Sequence, residues 1–214
     1  MNKLLVKDSN IDINNAYAAL DINTSHLTLN INGETCLSDY DNNQDLDLKI
    51  IMAPNSKLLY NRTNTSIKNF ALEIIMGDNA YVEFNYSLKT TCHSNIKLDA
   101  NISGDDNTSR INFHGVTTAT GQITSTATSK VDENTKRNEV LENLRIIALN
   151  DAENEIIPNL LVRSDSVNAI HNTTISSIDK DYLFYLNSKG IKDSDATELI
   201  VDGFLKSNLK DINK

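Results

Sequence analysis

Between about residue 25 and residue 131 the apolar positions of this chain recur at every second residue. Leu27, Leu29 and Ile31 alternate with polar neighbours, as do Leu46, Leu48 and Ile50, and then Leu72, Ile74 and Met76. Val82, Phe84, Tyr86 and Leu88 continue the pattern, followed by Ile96, Leu98, Ala100 and Ile102, by Ile111 and Phe113, and by the Thr-rich stretch 116–131. Successive side chains of a strand point to opposite faces, so this spacing predicts half-buried strands. Turn-forming residues separate the runs: Asp39 to Asn43, then Gly77, Asp78 and Asn79, then Gly104, Asp105, Asp106 and Asn107. Seven or eight short strands result. A sandwich, a barrel and a stacked solenoid all fit such a series. The solenoid is favoured because no long helical crossover interrupts the runs and the Thr/Ser stretch 116–130 suits small residues stacking between coils. No repeat is regular enough to count coils.

The period changes after about residue 175. Asp179, Tyr182, Leu183 and Leu186 share one helical face, and Gly190 stands where a helix would stop, which predicts a helix over 179–188. A second helix is predicted over 194–207, capped by Asp193 or Ser194, with the apolar stripe Ala196, Leu199, Ile200, Gly203 and Phe204. Lys206 and Lys210 favour its C-terminal end.

Composition narrows the function classes. The 214 residues carry a formal net charge of −9, with 29 Asp and Glu against 20 Lys and Arg, which argues against a nucleic-acid or anionic-membrane surface. The apolar run at residues 4–6 is too short for a signal peptide, and no stretch approaches the roughly 20 apolar residues of a membrane span. A soluble, cytoplasmic protein is therefore expected. Two cysteines, Cys36 and Cys92, make no disulfide framework. About one residue in seven is Asn, read here as genome bias, because strong apolar patterns run between the Asn residues.

Candidate chemistry is sparse. The common enzyme signatures for zinc proteases, phosphate loops, dinucleotide binding and serine hydrolases are all absent. Cys92 and His93 are adjacent, but on a strand neighbours face opposite ways, so a structural, buried role is expected for Cys92 and likewise for Cys36. His26 and His114 sit among polar strand residues, which favours solvent-facing or hydrogen-bonded roles. His171, just before the helical pair, stands at the junction of two units, where an imidazole can ligate iron or join an interface, although a structural role is the commoner one there.

The C-terminal third carries a more specific pattern. It runs from PNLLVR (158–163) through Val167, HNTT (171–174) and Asp179 to LFYL (183–186), SKGI (188–191), Ala196, and Gly203 with Phe204. In order and spacing this resembles the C-terminal region of the SufB/SufD family, scaffold components of iron–sulfur cluster assembly. The resemblance spans about residues 140–205 and implies an all-β fold, a right-handed parallel β-helix core over 1–175, its coils over 25–175, with a C-terminal helical segment over 176–214. It also implies a non-enzymatic role: the helices dock a SufC-type ABC ATPase through Tyr182, Phe184, Tyr185 and Phe204. His171 matches the family's histidine at the SufB–SufD interface, which makes it the expected metal and cluster contact for a transient iron–sulfur cluster, with a SufB-like subunit or a second copy as partner. Asn172 replaces the acidic residue that follows this histidine in SufB, no cysteine occurs in 93–214, and Lys189 replaces an Arg. The first two departures imply a SufD-like partner or a divergent scaffold whose ligands lie elsewhere, and because family members are usually much longer, the resemblance implies a reduced member or a fragment.

Two other classes compete. A polysaccharide-active β-helix enzyme would need paired carboxylates, for which Asp99, Asp105 and Asp106 are the candidates, although the last two read first as a turn. A solenoid binding module without cluster chemistry fits the missing cysteine.

Overall fold

Alternation of apolar and polar positions does build strands: nine of them lie between residues 26 and 131, where the spacing predicts seven or eight. The computed structural model describes residues 2–40, 43–149 and 151–211. Among these, β1 (Asn2–Val6), β3 (Tyr17–Ile22), β5 (Glu34–Tyr40), β7 (Lys57–Thr65), β9 (Tyr81–Thr90), β11 (Thr108–Thr117), β13 (Lys136–Ala148) and β15 (Ser166–Ser176) pair in that order into one sheet. The alternate strands form a second sheet: β2 (Asn10–Asn14), β4 (His26–Asn32), β6 (Leu46–Met52), β8 (Asn69–Met76), β10 (His93–Ile102), β12 (Gln122–Val131) and β14 (Glu155–Val162). Neighbours are parallel throughout, for example β9 with β11 and β10 with β12. A chain that visits two parallel sheets in turn, advancing one strand in each, is a parallel β-helix. Strand formation thus begins at residue 2 rather than at 25. Two helices follow, α1 (Lys180–Ser188) and α2 (Asp193–Ser207).

The coils lengthen along the chain, which is why no repeat shows in the sequence. Asn2 lies opposite Ala18 (16 residues on), Lys57 opposite Tyr81 (24 on) and Thr108 opposite Glu139 (31 on). What does repeat is the inward column. Leu27, Leu48, Leu72, Leu98 and Ala127 stack one above the next, all buried. Each such leucine contributes about 2 kcal/mol of burial. Across the interior, Tyr60, Phe84, Tyr86 and Phe113 of the first sheet and Phe70 of the second form a chain of ring contacts with centroids 4.9–6.1 Å apart. The Thr/Ser stretch places Ser125, Ala127 and Ser129 inward, so small residues do stack between coils.

Six of the seven turns from the second sheet to the first contain a residue with positive φ, at Asn15, Gly33, Asn55, Asn79, Asp106 and Asn134; the turn from β14 to β15 does not. Asn and Asp tolerate this left-handed geometry best among non-glycine residues. At Gly33, φ 82°, a Cβ would also displace the Asn15 amide, whose Oδ1 accepts from the Glu34 N–H. The asparagine excess therefore has a structural use at these corners, where a composition-level reading sees only bias.

Asp39 departs from its expected place in a turn. It lies in β5, fully buried, and accepts a hydrogen bond from the Arg62 guanidinium, its register neighbour on β7. Asp41 and Asn42 of the predicted turn lie outside the described residues. Arg62 rests over the Phe70 ring at 4.6 Å, while its Nε and Nη2, Asp39 Oδ1 and the Tyr60 and Tyr86 hydroxyls have no partner among the described residues. Burying this pair is costly, and removing one member strands the other charge. We expect Asp39→Ala to lower the unfolding free energy by about 3–5 kcal/mol, and Asp39→Leu with Arg62→Met to restore most of it. Urea unfolding at constant m-value tests this. An Asp39→Ala midpoint equal to that of the parent would remove the pair from the determinants of the fold.

Candidate functional site

The last coil is where the stacking ends. In the first sheet one inward position carries Tyr60, Phe84, Ile111 and Glu142 in successive coils, and its next occupant is His171 on β15. The first four are fully buried, but His171 is exposed, because among the described residues no strand lies beyond β15. Val162 of β14 and Ile175 of β15 also hold inward positions and remain 39% and 45% exposed. This end of the solenoid is an apolar layer with an imidazole in it, bounded by two strands that each pair on one side only.

Directly beneath His171 lies Glu142, a residue that sequence reasoning missed. Its Oε1 accepts a 2.6 Å hydrogen bond from Ser129 Oγ, and its Oε2 has no partner among the described residues. Burial raises its carboxyl above the usual range, while the Ser129 bond and the neighbouring His171 pull the other way. The signal was present: Val140, Glu142, Leu144 and Ile146 share one phase, so a carboxylate at that phase must point inward.

The helices sit elsewhere. Asp179 caps α1 by accepting from the Asp181 N–H at 2.9 Å, and Gly190, at φ 83°, ends it. No residue of α1 is buried, and Tyr182, Phe184 and Tyr185 are 64%, 76% and 60% exposed. The N-cap of α2 is Lys192, with no side-chain cap bond, rather than Asp193 or Ser194. Its inner face is Ala196, Ile200, Val201, Phe204, Leu205 and Asn208, so Leu199 and Gly203 of the predicted stripe turn outward.

That rotation has a physical cause: the surface beneath α2 is polar. Ser87 Oγ donates to the Leu205 carbonyl at 2.9 Å, and Asn208 Nδ2 donates to the Tyr86 carbonyl at 2.8 Å. Asn61 Nδ2 donates to the Lys210 carbonyl at 2.7 Å, and the Lys210 N–H donates back to Asn61 Oδ1 at 3.2 Å. Asn61 begins a column of asparagines on the outer face, in which Asn112 donates to Asn85 and Asn85 to Asn61. Phe204 stacks on His114, centroids 4.2 Å apart and planes 3° from parallel, with the Arg145 guanidinium 5.4 Å from the phenyl centroid. His114 is thus hydrogen-bonded, as expected, but buried rather than solvent-facing. The four aromatic candidates divide: three face outward on α1, and Phe204 belongs to the docking contact.

The remaining candidates stay scattered. Cys92 lies in the bend before β10 rather than on a strand, partly buried, and exposed His93 starts β10. Cys36 is buried. His26 meets Asp47 at 3.1 Å on an exposed face, and Asp99 pairs with Lys97 at 3.0 Å. Asp105 and Asp106 are occupied at the corner by the Lys136 N–H and by Arg137, so the carboxylates proposed for sugar chemistry do not converge. Among the described residues, no group of three or more His, Cys, Asp or Glu is placed to hold a metal ion, and no helix is long and apolar enough to cross a membrane.

A family model described as SUF system FeS cluster assembly, SufBD core domain, matches residues 73–204, from the middle coils through α2. The chain belongs to the SufBD family. Relatives described as iron-sulfur cluster assembly SufBD family proteins include those of Staphylococcus saprophyticus and Staphylococcus haemolyticus, each 34% identical over 67 residues. A Staphylococcus aureus relative gives the same identity over the same length. The matched segment is 31% of this chain and 14% of each relative.

Acid should loosen the α2 contact. Burial, and secondarily the Arg145 charge, hold the His114 imidazole below its ordinary value, against the opposing hydrogen bond to the Phe204 carbonyl. A group with a lowered folded value supports the fold fully above its unfolded value of about 6.5 and loses that support as pH falls through the lowered one. Unfolding free energy measured against pH should show this acid-side loss in the parent and not in His114→Gln. Superimposable pH profiles would contradict the assignment.

Proposed function

We propose that this SufBD family member is a non-enzymatic scaffold subunit of a SUF-type iron–sulfur cluster assembly complex, acting in the cytoplasm. The observation that carries the reading is the uncovered last coil, with His171 in an interior position that only a partner can enclose. The partner is a SufB-like subunit or a second copy of this chain. His171 supplies one nitrogen donor to a transient cluster, which is cargo rather than a resident group. The other donors come from across the interface, since the described residues of this chain bring no three ligands together.

The second half of the proposal concerns a SufC-type ABC ATPase. Tyr182, Phe184 and Tyr185 project from a helix with no buried residue, and exposed Leu199 of α2 adds to the apolar surface of the hairpin. Aromatic anchors of this kind dominate many interfaces. Phe204 contributes indirectly, by fixing α2 on the solenoid.

Co-purification with a SufC-type ATPase, followed by anaerobic reconstitution and an iron and sulfide assay, tests both halves. Phe184→Ala should weaken ATPase binding by about 2 kcal/mol, roughly thirtyfold, without changing the melting temperature. His171→Ala should reduce cluster yield in the complex and leave ATPase binding intact, because alanine removes an iron donor at an already exposed position. ATPase binding with unaltered cluster yield in His171→Ala would favour a binding module without cluster chemistry at this residue.

A further inference from the structure

We propose that the crevice between the C-terminal end of α2 and the outer face of β11 and β13 binds a small oxyanion such as inorganic phosphate. The crevice has a volume of about 240 Å³, and among the described residues no carboxylate lines it. That is unusual on a chain of net charge −9. Two cations face it from opposite walls, Arg145 of β13 and Lys210 beyond α2. Arg145 has no carboxylate within ion-pairing distance among the described residues, whereas Lys210 reaches only Glu83, at 3.5 Å. The planar guanidinium offers paired N–H donors that match the oxygens of phosphate or sulfate.

The rest of the lining suits the same ligand. Asn143 adds an amide to the lining, beside Arg145 on the outer face of β13. His114 and Asn208, 4% and 5% exposed, form a floor whose positions are fixed by their bonds to the Phe204 and Tyr86 carbonyls. A helix C-terminus ordinarily repels anions through its free carbonyls. Here those groups are engaged: the Phe204 carbonyl by His114 Nδ1 and Ser207 Oγ, the Leu205 carbonyl by Ser87 Oγ, and the Lys206 carbonyl by the Leu209 N–H. An oxyanion held by Arg145 on one side and by Lys210 on the other would join the helical hairpin to the solenoid and favour the docked arrangement.

Isothermal titration of the full chain with potassium phosphate, at ionic strength held constant with sodium chloride, tests this. One saturable site per chain is expected, and sulfate should compete for it. Arg145→Gln should weaken binding about tenfold or more, Lys210→Gln should weaken it several-fold, and Arg163→Gln, at a corner of the last coil, should leave it unchanged. Lys210 lies outside the Phe204 stack, so its variant decides the matter if Arg145→Gln fails to fold. Absence of saturable binding, parental affinity in the folded Arg145 and Lys210 variants, or an equal loss in Arg163→Gln would overturn the proposal.

Discussion

Two parallel hydrogen-bonded ladders lock the register of every coil, and everything else follows from that lock. Once the ladders are set, each interior position is shared by one side chain per coil, and the neighbours above and below are chosen in advance. A leucine over a leucine satisfies this without further provision. A polar side chain does not, because its partner must come from the coil next to it or from the facing sheet. Arg62 therefore meets Asp39 one coil earlier in the same column, and Glu142 meets Ser129 across the interior. Each of these buried charged side chains has at least one such partner, and a wholly unanswered buried charge costs several kcal/mol.

Outside the barrel of stacked coils, the same register produces a polar column where a hydrophobic one might be expected. Asn61, Asn85 and Asn112 bond one to the next at the spacing of the strands, and the segment after α2 reaches the column at its Asn61 side chain and Asn112 carbonyl. Each such bond is worth about 1 kcal/mol net, so the hairpin is held by several modest contacts and one ring stack. Apart from Phe204, its aromatic side chains take no part in that attachment. Tyr182, Phe184 and Tyr185 stay exposed on α1, so the residues that dock the hairpin and those it presents outward are different ones in one short segment.

The sequence made the period-two runs visible, and with them the strands from Leu27 to Val131, because inward side chains in a column are nearly all apolar. It was less informative where coils are short. Residues 2–22 form three strands of five or six residues, too brief for alternation to rise above chance. Asp39 read as a turn because a lone Asp near Asn residues usually is one; only the register reveals Arg62 beside it. The phase of α2 was misjudged for a related reason: apolar spacing fixes a helix face only when the opposing surface is apolar, and here it is built from Asn, Ser and His. His171 was singled out through the family pattern. Its place at the open end, above a buried Glu142, depends on pairings between residues 29 apart, which no local motif records.

The end of the solenoid brings these constraints to bear on function. An interior position is designed by its column to be enclosed, yet the column stops at His171. The imidazole is exposed, together with Val162 and Ile175, and among the described residues no strand pairs with the outer edges of β14 and β15. A partner that continued the two ladders would supply the next side chain in each column, remove water from the apolar layer, and place its own donors beside the imidazole. Low dielectric would then strengthen any metal–ligand attraction formed there and penalise charge left unbalanced. Assembly and ligand formation would be the same event, so a site of this construction is competent only in the complex.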